Sequence, residues 1–265
     1  LGNAPRSGPA RPPAAAFSQD LTLLAHAHED GRVQLWHTTT GESTTFRVSE
    51  RGPQQVALSP DGRALVTSGF GRSLRWWDLR SGTNVVLETE ARRAFFSPDG
   101  RILAGLAGWG SNVELWDTTP LTLRTNVVSE VELPGEVAAA FSPDSRLLAV
   151  ACADDTVRLW DTTTGAPAGI CAGHKQSISS VAFAPDGKTL ATASDDNTIK
   201  LWNVATQQEL LTIRRLGGAL RTLLFSPDGR LLVGRRSSVS PTGGLGIYRT
   251  PSFEETDAGR ATAKP

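Results

Sequence analysis

Apolar residues in this 265-residue chain fall in runs of strand length, and within the runs they alternate with polar positions. The stretch from 181 to 213 shows the pattern most clearly. Val181-Ala182-Phe183 runs into Ala184-Pro185-Asp186-Gly187, then come Thr189-Leu190-Ala191-Thr192, the polar Asp195-Asp196-Asn197, Ile199-Lys200-Leu201-Trp202, and Glu209 to Ile213. Period-two alternation bounded by turn residues predicts four short strands. Pro185 presets φ, the Asp186 side chain can bond the backbone beyond it, and Gly187 accepts a positive φ, so the first two strands form a hairpin. The product is a four-stranded antiparallel meander with apolar residues on both faces. Such a sheet is too small to stand alone and must stack against neighbours.

The same unit recurs. A Trp-Asp pair or a variant closes the third strand at Trp36-His37, Trp77-Asp78, Trp116-Asp117, Trp160-Asp161, Trp202-Asn203 and Tyr248-Arg249, at separations of 41, 39, 44, 42 and 46 residues. A hairpin marker runs in phase with it, starting at Phe17, Leu58, Phe96, Phe141, Phe183 and Phe225 and reading Ser-Pro-Asp-Gly in its fullest form. The distance from this residue to the Trp is 19 in four copies, 20 in the third and 23 in the sixth. Two markers in register at this period define a repeat architecture. Radial stacking of four-stranded units gives an all-β protein, a β-propeller, in which only short strand edges stay open.

On these residues the chain resembles the WD-repeat β-propeller family over 14–256, most closely in the fourth and fifth units. The resemblance implies a buried tetrad in which a Gly-His pair joins an Asp, a hydroxyl and the Trp. The full set occurs once, as Gly173-His174, Asp196, Trp202 and either Thr192 or Ser194. A buried carboxylate and imidazole are tolerable only when paired. Asp30 and Asp154 occupy the Asp offset without a Gly-His, and Gly71, Gly110 and Thr242 stand there in the other units. Those blades are expected to depend on apolar packing. Six units are visible; either the ring has six blades or it is part of a seven-bladed one with a blade upstream of Leu1. Residues 1–13 read as a Pro-rich linker, and 257–265 as a disordered polar tail.

Composition narrows the function. Twenty-seven basic residues balance 27 acidic ones, which argues against nucleic acid or an anionic membrane as partner. No stretch has the length of a membrane helix or the layout of a signal peptide. Cys152 and Cys171 read as small buried hydrophobes in a reducing, cytoplasmic setting. The chain contains no Met, which suggests a segment of a longer protein.

Catalytic groupings are weak. His26 and His28 share a strand face but lack a third metal ligand. His174 with Asp196 and a hydroxyl imitates a hydrolase triad, yet the repeat context makes it structural. The expectation is a non-enzyme with no cofactor and no metal. A binding surface remains. In the family the residue before the turn Asp faces the ring's narrow surface, and that offset holds Glu29, Phe70, Trp109, Ala153, Asp195 and Pro241. Phe70 and Trp109 fall on neighbouring blades near Arg72, Arg92 and Arg93, a set that suits a partner's apolar anchor beside a carboxylate. The rings can instead fold back over their own blades. Trp76, at the inward position of Leu35, Leu115, Leu159 and Leu201, belongs to the core. The reading is a scaffold that docks peptides or protein domains. Its Ser-Pro-Asp-Gly and Thr-Thr-Thr-Gly turns resemble bacterial signalling propellers attached to serine/threonine kinases. The alternatives are a propeller enzyme of lactonase or hydrolase type, and a spacer without a specific ligand.

Overall fold

The computed structural model describes residues 15–49, 53, 55–68, 73–107, 110–134, 137–214, 220–236 and 245–249. Every regular element among them is a β-strand. Each sheet runs in chain order and antiparallel. Blade 1 comprises β1 (Ala15–Phe17), β2 (Leu23–Ala27), β3 (Arg32–His37) and β4 (Ser43–Arg47). Blade 2 comprises β5 (Gln55–Leu58), β6 (Ala64–Ser68), β7 (Leu74–Asp78) and β8 (Asn84–Leu87). Blade 3 is β9 (Arg93–Phe96), β10 (Ile102–Leu106), β11 (Gly110–Thr118) and the long β12 (Leu121–Leu133). Blade 4 is β13 (Ala139–Phe141), β14 (Leu147–Ala151), β15 (Val157–Asp161) and β16 (Pro167–Cys171). Blade 5 is β17 (Ile178–Phe183), β18 (Thr189–Ser194), β19 (Thr198–Asn203) and β20 (Glu209–Arg214). Blade 6 shows three strands, β21 (Leu220–Phe225), β22 (Leu231–Arg236) and β23 (Leu245–Arg249). Its expected outer strand near 252–255, the linker 1–13 and the tail 257–265 lie outside the described residues. The blades group into two compact units, Leu1–Ala94 and Phe95–Pro265.

The hairpin motif explains its own recurrence. In blades 1, 2, 3, 4 and 6 the serine hydroxyl donates to the Asp two residues on, at 2.5–2.6 Å, from Ser18, Ser59, Ser97, Ser142 and Ser226. The same oxygen accepts the backbone N–H five residues on at 2.9 Å, closing the turn from inside. The Asp also accepts the backbone N–H of the residue two beyond it, as sequence reading expects. Gly187 sits at φ 70°, open to glycine and strained for most other residues. The acidic member of the Trp-Asp pair has a second turn to close: Asp78 and Asp161 each accept two N–H groups of the turn into the fourth strand, and Asn203 does the same.

Strand register then sorts the apolar residues onto two faces. Cross-strand rows such as Phe183, Leu190 and Trp202 form an aromatic face, and rows such as Ala182, Ala191 and Leu201 form an aliphatic face on the other side. Within each unit the aliphatic face of one blade seats on the aromatic face of the next. In the first unit Ala25 and Leu35 of blade 1 pack with Leu58, Leu65 and Trp77 of blade 2. In the second, Ala104 and Leu115 meet Leu148 and Trp160, Ala149 and Leu159 meet Leu190 and Trp202, and Ala191 and Leu201 meet Leu232 and Tyr248. A fully buried Leu contributes roughly 1.5–3 kcal/mol against about 1 for a neutral hydrogen bond, so these rows carry more stability than the turns. Trp76 holds the aliphatic-face position of blade 2, opposite Val66, but is half-buried rather than buried like its leucine counterparts.

The two cysteines sit on opposite faces of blade 4, Cys152 against blade 3 and Cys171 against blade 5. Both are buried, and neither is in a disulfide. Burial pushes the Cys171 thiol up to about 12.

Candidate functional site

The largest concentration of buried polar chemistry lies in blade 5. The loop from β16 to β17 brings His174 over the turn between β18 and β19, which Asn197 closes at φ 64°. The His174 Nδ1 lies 2.9 Å from Asp196 Oδ2 and its Nε2 lies 2.7 Å from Thr192 Oγ1. Trp202 Nε1 donates to that same Thr192 oxygen at 2.8 Å. Asp196 has no proton to give, so Nδ1 carries the ring's hydrogen, Nε2 accepts from the Thr192 hydroxyl, and the hydroxyl oxygen accepts from Trp202. The relay is complete for a neutral imidazole. Burial holds the His174 pKa below its ordinary value, although Asp196 pulls the other way. Burial pushes the Asp196 carboxyl up, but hydrogen bonds from the Thr198 and His174 side chains and from backbone N–H groups outweigh it and keep it ionised.

Of the two hydroxyls the sequence left open, the structure selects Thr192. Ser194 turns away to donate to the Gln176 carbonyl at 2.7 Å and to accept the Asp196 N–H at 3.0 Å, so it shapes the turn. Four participants were missed by sequence reasoning. Thr198 donates to Asp196 Oδ1 at 2.6 Å. Lys200, also buried, reaches Glu209 at 2.7 Å and Thr212 at 2.8 Å. An Asp-x-Thr signal was available for Thr198, since Asp154 and Thr156 repeat the bond in blade 4. Lys200 and Glu209 required cross-strand register. Blade 2 keeps part of the relay without a histidine: Trp77 Nε1 donates to Thr67 at 3.1 Å. Its packing is therefore not purely apolar, contrary to expectation for a blade lacking Gly-His.

The predicted partner surface is visible in part. Glu29 and Asp195 are exposed at the turn between second and third strands of their own blades, and Arg92 and Arg93 are exposed at the start of β9. Phe70, Arg72 and Trp109 lie outside the described residues. His26 and His28 do share a face, their rings 4.7 Å apart, and His28 contacts Gln34 at 3.3 Å. Among the described residues no three potential metal ligands gather.

One groove was not foreseen. Beside the tetrad, an open depression of about 750 Å³ is lined by Lys175, Asp196, Thr198, Lys200, Thr212 and Arg214. Asp196 and Lys200 are already committed internally, whereas Lys175 and Arg214 are exposed and form no ion pair with any described residue. The groove therefore presents net positive charge to solvent.

Three stretches, 43–78, 130–161 and 165–203, match the model of the WD domain, G-beta repeat. The chain carries WD repeats. Relatives include Protein LST8 homolog of Drosophila melanogaster, 30% identical over 157 residues, covering 55% of this chain and 50% of that protein. Target of rapamycin complex subunit LST8 of Bos taurus is 28% identical over 161 residues, 51% of this chain and 48% of that protein. Striatin-4 of Homo sapiens is 28% identical over 176 residues, 57% and 23% respectively. The WD-repeat chain thus spans half or less of the length of these relatives. The matched stretches end on the Trp-Asp pairs of blades 2, 4 and 5, the blades whose Trp77, Trp160 and Trp202 are buried.

Proposed function

We propose that this WD-repeat chain is a non-catalytic docking scaffold that binds an acidic peptide segment of a partner protein at the loop end of blade 5. The observation that carries the reading is the division of labour there. The groups able to do acid-base chemistry, His174 and Asp196, are spent on each other and on the turn, while Lys175 and Arg214 face an open groove and form no ion pair with any described residue. A carboxylate seated between them replaces water without stranding a buried charge, which gives orientation as well as attraction. The bovine relative is by name a subunit of a complex, in keeping with a scaffold role.

In this reading the chain belongs to a larger cytoplasmic signalling protein, such as a serine/threonine kinase of bacterial type. The turn motifs and two buried thiols outside any disulfide support that context, although the relatives named above are eukaryotic. A photo-crosslinking residue at Asn197, with another at Thr45 on the outer strand of blade 1 as control, tests the site. Crosslinks to acidic peptides from position 197 only, lost in the Lys175→Glu/Arg214→Glu variant, are expected. Equal capture at both positions, or capture indifferent to charge reversal, would refute it.

A further inference from the structure

The seam between blades 1 and 2 is closed differently from the seams on either side of blade 4. After each third-strand Trp the chain turns into the fourth strand, and a residue of positive φ in that turn lies against the outer strand of the preceding blade. It is Gly82 in blade 2 at 70°, Gly165 in blade 4 at 72° and Gln207 in blade 5 at 56°. A β-carbon added to Gly165 would stand 2.9 Å from Thr125 and 3.3 Å from Val127, so β12 shuts that seam directly. At the next seam the Gln207 side chain is a plug. It lies so close over Gly169 that a β-carbon there would come within 2.6–2.8 Å of it, and its Nε2 donates to the Val204 carbonyl at 2.7 Å. In blade 1 the matching outer-strand residue is Thr44, paired with Leu35 as Thr125 is with Leu115 and Gly169 with Leu159. No plug faces it. Around Gly82 no heavy atom of the described residues, its chain neighbours aside, comes within 4 Å of an added β-carbon.

The result is a cavity of about 550 Å³, contained within the unit Leu1–Ala94. Sites for small molecules run from roughly 300 to 1,000 Å³. Leu23, Leu35 and Phe46 of blade 1 and Trp77 and Leu79 of blade 2 make its apolar walls, with the Phe46 and Trp77 rings 5.3 Å apart. The rim is charged, but unevenly committed. Asp61 accepts from the Ser59 hydroxyl and the Arg63 N–H, and lies 3.5 Å from the Arg63 guanidinium. Asp78 accepts the N–H groups of Arg80 and Ser81. Arg80 is exposed; it attracts Asp78 through space but forms no ion pair with any described residue. Thr163 and Ala205 hold its place in the turns of blades 4 and 5. Of the three turns, the one that leaves its seam open is the one that carries a guanidinium.

We infer that the seam between blades 1 and 2 binds a small organic acid, with an aromatic or branched apolar body against Leu35, Phe46 and Trp77 and its carboxylate paired with Arg80. A ring in the cavity buries apolar surface that now faces water. The guanidinium fork matches a carboxylate. A cationic ligand meets no equivalent, because both rim carboxylates are engaged in holding their turns.

Phenylbutyrate and naphthoate are the probes, titrated into the full chain and followed by backbone amide shifts, with phenylbutanol as the uncharged match. Saturable shifts are expected at Phe46, Leu79 and Gly82. Arg80→Ala should weaken both acids about three- to tenfold and leave the alcohol unchanged. Gly82→Gln supplies the plug of blade 5 in a turn whose conformation Gln207 already adopts, and should abolish binding of acids and alcohol alike. Thr44→Trp, on the exposed outer strand, fills the cavity from the opposite wall and should do the same without altering the turn. Lys175→Glu/Arg214→Glu, which reverses the blade 5 groove, should bind the acids unchanged. Absence of saturable shifts with both acids overturns the inference, as does acid binding that survives both fillings or follows the blade 5 charges. Equal weakening of acid and alcohol by Arg80→Ala removes the carboxylate contact and overturns it too. A short acetylated peptide ending in phenylalanine that binds more than about tenfold tighter than phenylbutyrate makes a chain end the occupant, which also overturns it.

Discussion

Thr192→Val isolates the relay in blade 5 with almost no change of shape. The residue is fully buried, and its hydroxyl serves both His174 Nε2 at 2.7 Å and Trp202 Nε1 at 2.8 Å. Valine removes both bonds and leaves an imidazole acceptor and an indole donor unpaired inside the protein. Each stranded polar atom costs about 1–3 kcal/mol, and the added methyl recovers up to about 0.8 kcal/mol. The net expectation is a loss of about 2–4 kcal/mol. For a chain of this size about 1 kcal/mol corresponds to roughly 2–4 °C, so the melting temperature of the unit containing blade 5 should fall by some ~5–15 °C. Because a repeat protein can open blade by blade, exchange of the β18 and β19 amides should be followed alongside calorimetry. Thr67→Val is the internal comparison: it strands only Trp77 Nε1, with no histidine involved, and should cost about 1–2 kcal/mol. A cycle with Trp202→Phe should show a coupling of about 1 kcal/mol or more between Thr192 and Trp202. A loss below about 0.5 kcal/mol for Thr192→Val, or one no larger than that of Thr67→Val, would refute the relay as drawn.

Two further outcomes follow from the same geometry. Since burial lowers the His174 pKa, the unfolded chain takes up a proton on this histidine before the folded one does. The stabilisation it brings is fully present above the unfolded value of about 6.5 and is lost as pH falls from there through the folded pKa. Urea midpoints measured from pH 8 to 5 should therefore decline, and the decline should shrink in His174→Gln; parallel curves would contradict it. In blade 5 the hairpin serine is replaced by Ala184, which is buried next to Asp186. Ala184→Ser restores the bond pair seen in the other five hairpins and should raise stability by about 0.5–1 kcal/mol, read from denaturant unfolding, with a loss counting against the motif's proposed role.

Whatever depends on neighbours a few residues away was legible in the chain alone. Pro185, Asp186 and Gly187 specify a turn whatever surrounds them. Strand alternation located β17 to β20 to within a few residues, and the Trp-Asp period counted the repeats. His174, Asp196 and Trp202 were named because their spacing is part of that period. What stayed hidden depends on register and burial between strands far apart in sequence. Thr192 and Ser194 are equivalent as letters, and only the pairing of Leu190 with Trp202 and of Val181 with Thr192 decides which hydroxyl meets the indole. Lys200 reads as a solvated lysine until β20 brings Glu209 and Thr212 to it. Trp36 and Trp202 stand at the same place in the repeat, yet one is 39% exposed and the other 2%. A repeat can encode its own sheet, because turns and alternation are local. Whether that sheet's face is covered is settled only by what the rest of the structure places against it.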